Sequence, residues 1–519
     1  MIGLDQYDVL GKTLYGVYVI FLQTMIYTAG LMTLLVATDR FVHTALAIYY
    51  RKFARKPPEA KYKAEELPDM ALYAGAYPMV VVQLPMFNET EVCEEAIDYA
   101  CQLEWPTSRL KVQVMDDSTD ELTRQLVDDK VLEWQERGFI IECLRRDNRE
   151  GYKGGAMKQA MDEGHLDGYE FAAVFDADFR PDRDFLLKTV PYLNDNPKIG
   201  FVQARWTFTN SQASFLTRVQ ELSLNYHVKC EQYARFATGA FFNFNGTAGV
   251  WRLKCIEDSG GWNGRTTVED MDLSLRCYLN GWRFIFLYDV ECLNELPSSF
   301  YAYRKQQHRW SCGPMQLWRQ AMSSVWKSEI PLWQKLYLNI FFFGSRMFAT
   351  HFIALVFYCT IVPLSLFVPE VHIPYSILVY VPAIVTLSTA AFTPESWYRC
   401  VVYVLFENAM SVVKLGAVVS GLLELKNAHE WVVTTKKGTS KFGSNTQLRC
   451  MYVRELVMSI FVLTSAFFGL FMEHKWDFTV FLFFQGLVFL AFGLNMVDEK
   501  IEGGAPKKVK RGLYRTYTL

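Results

Sequence analysis

The chain has 519 residues, of which 51% are hydrophobic and 15% aromatic, with a formal net charge of −2. That composition excludes a protein living wholly in water, and the near-zero charge gives no field that would gather nucleic acid. Eleven cysteines without a CxxC pair and eight histidines without an HExxH spacing exclude a zinc framework and point to reduced thiols.

In chain order, the first apolar run is Leu14 to Ala37. It is long enough to cross a bilayer, lacks a small-residue cleavage site and precedes the basic stretch Arg51 to Lys56, so residues 1–56 read as a retained anchor and basic linker. From about Tyr77 to Ser311, strand and helix patterns alternate between glycine- and proline-rich turns. This predicts an α/β domain over 57–325, a mostly parallel sheet covered by helices, inserted between transmembrane helices. The expected strands are Met79 to Leu84, Lys111 to Met115, Phe139 to Leu144, Phe171 to Phe175, Ile199 to Ala204 and Arg283 to Tyr288. Ligands of such sheets bind beyond the carboxyl ends of the strands.

Residues 326–500 carry apolar runs at Met347 to Val368, Ile373 to Phe392, Val402 to Leu425, Leu456 to Met472 and Phe478 to Val497. Counting Val402 to Leu425 as an interfacial helix, with Glu407 and Lys414 on its wet face, puts every basic segment on one side of the bilayer. That side would hold the catalytic-looking domain and the basic tail 501–519, with one span before the domain and four after it.

Four polar clusters carry the chemistry. Asp116-Asp117-Ser118 follows an expected strand, and either nucleotide contact or helix capping suits it. Asp176-Ala177-Asp178 emerges from the end of another; two such carboxylates can hold Mg²⁺ or Mn²⁺ bridging to a nucleotide diphosphate, although a lone DxD is equally a helix-capping turn. Glu269-Asp270 precedes an amphipathic helix and offers either a general base or acids favoured by the helix dipole. Gln306, Arg309 and Trp310 fall on one helical face, where Arg suits a leaving diphosphate and indole a sugar ring; an Arg-Trp pair also suits a membrane interface. Upstream, Gln83 to Glu89 ends the first expected strand in a turn suited to a nucleotide. Lys153, inside Gly151-Tyr152-Lys153-Gly154-Gly155, sets a cation on a flexible backbone that a phosphate or a plain turn could use.

In this order the clusters closely resemble the processive, inverting family 2 glycosyltransferases with the D, DxD, ED and QxxRW signature. Within that family, Gln83 to Glu89, Gln113 to Asp120 and Gln306 to Pro314 look like the plant cellulose-synthase-like A and C groups. The resemblance implies a GT-A-type mixed-sheet domain that extends a β-1,4-linked polysaccharide. The donor would be GDP-mannose and the product mannan or glucomannan, the alternative being UDP-glucose and a β-1,4-glucan. A non-processive transferase acting on a lipid carrier and an inactive scaffold are the rivals. Carried over by position, Asp116 and Asp117 contact the nucleotide, Asp176 and Asp178 serve nucleotide and metal, and Asp270 is the base. Arg309 and Gln306 meet the diphosphate, while Trp310 and Glu269, with Asn245, Gly246 and Thr247, border the acceptor sugar. Trp431 to Lys436, within 428–443, resembles the FxVTxK gating loop, so Thr434 and Lys436 join the nucleotide contacts. A Golgi membrane with the domain facing the cytosol is implied by the resemblance alone.

Overall fold

The computed structural model describes residues 4–393, 398–425, 451–471 and 476–498. The segment 428–443, with Trp431, Thr434 and Lys436, and the tail 501–519 lie outside the described residues.

All six expected strands form: β1 Val80–Met86, β2 Leu110–Asp116, β3 Ile140–Leu144, β4 Phe171–Val174, β6 Ile199–Phe208 and β8 Arg283–Asn294. Two more appear, β5 Arg180–Pro181 and β7 Gly249–Arg252, and the sheet order is β3-β2-β1-β4-β7-β6-β8-β5. The first four in that order are mutually parallel, whereas β7 runs antiparallel to both β4 and β6, so the sheet is mixed. Four residues are too few to show a strand period, which hides β7 in the sequence. Its glycine is a packing requirement: a Cβ on Gly249 would lie 2.5 Å from the Val202 carbonyl oxygen.

Every residue of β1 and β2 is buried, because helices cover both faces and no solvent face demands a polar alternate. Of the two glutamines this forces inside, Gln83 donates from Nε2 to Gln113 Oε1 at 3.1 Å, and Gln113 Nε2 donates to Glu142 at 3.0 Å. Phe201 on β6 stacks on Phe284 of β8 with ring centroids 3.9 Å apart, and truncating it to alanine would cost about 3–5 kcal/mol.

Among the described residues, three helices are long and apolar enough to cross a membrane by length and composition: Gly11–Phe53, Leu332–Ser365 and Cys400–Leu423. Ser376–Ala390 and Phe478–Gly493 are apolar but shorter. The polar residues of Cys400–Leu423 do not face water as expected: Lys414 is buried and holds Glu407 at 2.6 Å, and Asn408 bonds Gln485 at 3.2 Å. Sequence periodicity reports a polar stripe without saying whether water or another helix covers it. The N-terminal helix meets the domain where the Arg40 guanidinium lies 4.3 Å over the Tyr226 ring and Thr44 Oγ1 accepts from Cys230 Sγ at 3.9 Å, next to a buried ion network. Glu231 holds Arg235 at 3.0 Å and the His227 ring nitrogen at 2.7 Å, and Arg235 donates to the Tyr337 hydroxyl at 2.9 Å. The basic linker docks as well, Arg51 meeting Asp289 at 3.1 Å on β8.

Candidate active site

Because β1, β2 and β4 are parallel, their carboxyl ends share one rim, and the residues just past them line a cleft of about 360 Å³. Phe87 follows β1, Asp117 follows β2, and Asp176 and Asp178 follow β4. Asp117 is clamped by the Arg146 guanidinium, whose Nε donates to Oδ1 at 2.9 Å while Nη2 donates to Oδ2. The Arg149 guanidinium lies 3.3 Å over the centre of the Phe87 ring and lines the same cleft. Arg146 and Arg149 escaped the sequence reading. The signal was the basic run Arg145-Arg146 with Arg149 directly after β3, at the same rim.

Asp116 differs from its neighbour. It is 1% exposed, accepts from Arg145 Nε at 2.9 Å and from the Ser118 backbone N–H at 3.0 Å, and does not line the cleft. Successive side chains at a strand end point to opposite faces, so only Asp117 of the pair lines the cleft.

The DxD carboxylates meet through a turn rather than by continuing strand geometry: the Phe179 N–H donates to the Asp176 carbonyl at 2.9 Å. Thr247, expected beside the acceptor, is 1% exposed and accepts from the Asp176 backbone N–H at 2.8 Å, so it shapes this turn from behind. Asn245 and Gly246 do line the cleft. Asn245 exchanges two amide hydrogen bonds with Gln232, at 2.7 and 2.9 Å. Lys153 donates to Asp176 and, at 2.8 Å, to the Gly246 carbonyl. Gly246 sits at φ +83°, where a Cβ would be 3.2 Å from Asp270 Oδ2 and 3.8 Å from Lys153 Nζ, so this close approach excludes any other side chain.

Glu269 and Asp270 open the helix Glu269–Leu279 at its positive end. Burial, then the Asp270 carboxylate beside it, pushes Glu269 up to about 7, against the pull of Lys153 and Arg309. Burial also raises Asp270 above the ordinary aspartate value, opposed by its backbone N–H bond and by Lys153. Burial opposes the charge on Lys153, yet Asp176, Glu269 and Asp270 outweigh it and raise the ammonium's pKa. A carboxylate raised toward neutrality is suited to accept a proton there. The glycines after Lys153 allow this proximity: a Cβ on Gly154 would lie 2.9 Å from Glu269 Cβ.

The opposite wall is helical. Phe300–Lys327, capped by Ser299 accepting from the Ala302 N–H, brings Gln306, Arg309 and Trp310 to the cleft on one face, as their spacing predicts. Beyond them the cleft continues past Ser223, His227 and Tyr303 to Arg346 and Met347 on Leu332–Ser365. It therefore runs from the charged rim to the apolar helices.

The donor set of Asp176 and Asp178, all carboxylate oxygen, suits a hard divalent cation. A second group, Asp39, His43 and Glu231, brings ligand atoms within 4.8 Å of one another. There Arg235 and Arg346 already meet Glu231 at 3.0 and 3.6 Å, so the charge requirement is met by guanidinium groups.

Comparison with known proteins matches residues 81–252 to glycosyl transferase family 2 and residues 173–392 to glycosyl transferase family group 2. The chain is 44% identical over 476 residues to probable glucomannan 4-beta-mannosyltransferase 1 of Arabidopsis thaliana, covering 90% of this chain and 86% of the relative. It is 41% identical to glucomannan 4-beta-mannosyltransferase 1 of Cyamopsis tetragonoloba, covering 92% of each. Among solved structures it is similar to mannosyltransferase PcManGT from Pyrobaculum calidifontis in complex with GDP-Man and Mn²⁺, at 18% identity and a TM-score of 0.48 over 77% of this chain and all of that one. With relatives this similar along almost its whole length, the chain belongs to the family 2 glycosyltransferases, in the cellulose-synthase-like group of the glucomannan 4-beta-mannosyltransferases.

Proposed function

We propose that this chain is a membrane-embedded, processive, inverting mannosyltransferase that builds a β-1,4-mannan or glucomannan backbone from GDP-mannose. The observation that carries the reading is one cleft in which Asp270, Lys153, the Asp176–Asp178 turn and the Gln306–Trp310 face converge. The relatives' names favour mannose over glucose as the sugar. In a single displacement, Asp270 takes the proton of the acceptor hydroxyl as its oxygen attacks the donor's anomeric carbon. The bond from that carbon to the diphosphate breaks, and the leaving oxygen takes the electron pair. Lys153 and Arg309 stabilise the charge that builds there. Trp310 presents its indole face to the acceptor ring and keeps the hydroxyl in line. Bound at Asp176 and Asp178, Mg²⁺ or Mn²⁺ would supply further positive charge to the diphosphate.

The polymer leaves past Tyr303 and Arg346 between the apolar helices, and the domain faces the cytosol of a Golgi membrane. Asn88, a glycosylation sequon residue, supports that sidedness: its Oδ1 accepts from the Thr119 and Asp120 N–H groups at 2.8 and 3.0 Å, and its Nδ2 donates to Thr119. A glycan there would dismantle the loop beside Asp117. The functional test is incorporation of labelled GDP-mannose, and separately UDP-glucose, into insoluble polymer by membranes carrying the chain, with Asp270→Asn as control. Mannose in a β-mannanase-digestible product, absent in the control, is expected; glucose in a β-1,4-glucan would replace this reading with the glucan one.

A further inference from the structure

Phe300–Lys327 has a second working face. Tyr301, Arg304, Lys305 and His308 recur at helical spacing on the side away from Trp310 and line a separate cavity of about 710 Å³. That volume lies within the roughly 300–1,000 Å³ range of small-molecule sites. Arg454 and Glu455, at the start of the helix Val453–Gly469, complete its polar end. Arg304 and the buried Glu455 pair at 2.6 Å, and the same guanidinium covers the Tyr452 ring at 3.9 Å. Lys305 and Arg454 add two further cationic side chains at that end, with His308 beside them. The other wall is aliphatic, formed by Leu355 and by Val412, Val419 and Leu425 along and just past the membrane-length helix Cys400–Leu423.

A cationic end joined to an aliphatic wall, where apolar helices meet the domain, is the chemistry of one ligand class. We propose that this cavity binds an anionic phospholipid, its phosphate at Lys305 and Arg454 and the start of an acyl chain along Val412 and Val419. A soluble phosphate ester would share the polar contacts and leave the aliphatic wall uncovered. Since the same helix presents Gln306 and Trp310 to the cleft, the lipid steadies the acceptor wall from behind. Binding itself is independent of the proposed reaction; only the effect on turnover rests on it.

The test uses the full chain, purified in neutral detergent and offered phosphatidylcholine vesicles with or without phosphatidylglycerol, with lipid retention read by native mass spectrometry. Wild type is expected to retain phosphatidylglycerol selectively. The double variant Lys305→Gln/Arg454→Gln should bind it roughly thirtyfold more weakly, because each cation near an anionic headgroup contributes about fivefold. The charge-preserving Lys305→Arg/Arg454→Lys should restore it, separating a binding loss from misfolding. Phosphatidylglycerol should also raise sugar incorporation in wild type and not in the Gln variant. Equal retention of both lipids, equal binding by the Gln variant, or displacement by glycerol phosphate at matched concentration would each overturn the proposal, the last by assigning the site to a soluble anion.

Discussion

The two walls of the cleft are built on different principles. The strand side is a rim of short turns whose positions are set by a hydrogen-bonded ladder, and acids on it are held by cations, Asp117 by Arg146 and Asp176 by Lys153, with Asp116 held by Arg145 behind them. The helical side presents Gln306, Arg309 and Trp310 from one continuous helix packed on apolar neighbours. A diphosphate must be met by fixed charges, whereas a polymer that advances needs a surface it can slide over. Substitutions on the rim should therefore affect the chemical step, and those on the helical wall should affect acceptor handling.

The largest effect is expected for Asp270→Asn, about 10²–10⁴-fold in kcat, since the base is lost while the donor contacts remain. Donor affinity measured by GDP-mannose protection against thermal unfolding should survive; a variant that still polymerises at the wild-type rate would assign the base elsewhere. Asp116→Ala breaks the comparison within the rim itself. It removes the buried partner of Arg145 while Asp128 still holds that guanidinium, and should lower stability by about 1–2 kcal/mol, visible as a drop in melting temperature. Asp117→Ala, one residue on, should weaken donor binding instead; equal effects of the two would erase the distinction between the faces of β2.

Trp310→Ala should act on the other wall. Loss of the stacking surface costs about 1 kcal/mol, several-fold in acceptor KM, and shortens the product measured by size-exclusion chromatography with little change in donor KM. The smallest expected change is in pH dependence. Asp270 works ionised and its pKa is raised, so kcat/KM falls as pH drops from neutrality through the titration of the Glu269–Asp270 pair. Asp270 raises Glu269 and the two titrate as a pair, so Glu269→Gln should reduce the acidic limb to a single titration and shift it. A limb that stays in place would show that Glu269 does not act on the base.

The sequence by itself determined six of the strands, the apolar segments, and the four clusters that end in one cleft, because strand runs, helix spacing and acidic turns are local patterns. Helical spacing alone was enough to put Gln306, Arg309 and Trp310 together. Tertiary structure alone decided which of two adjacent aspartates faces the cleft, that Thr247 supports the Asp176 turn from behind, and that Arg146 and Arg149 arrive from the end of β3. It also inserted β7 antiparallel between β4 and β6, and buried Lys414, expected in water, against a partly exposed Glu407. Each of these depends on which other segment packs alongside, and a neighbour brought in by the fold leaves no period in the local sequence.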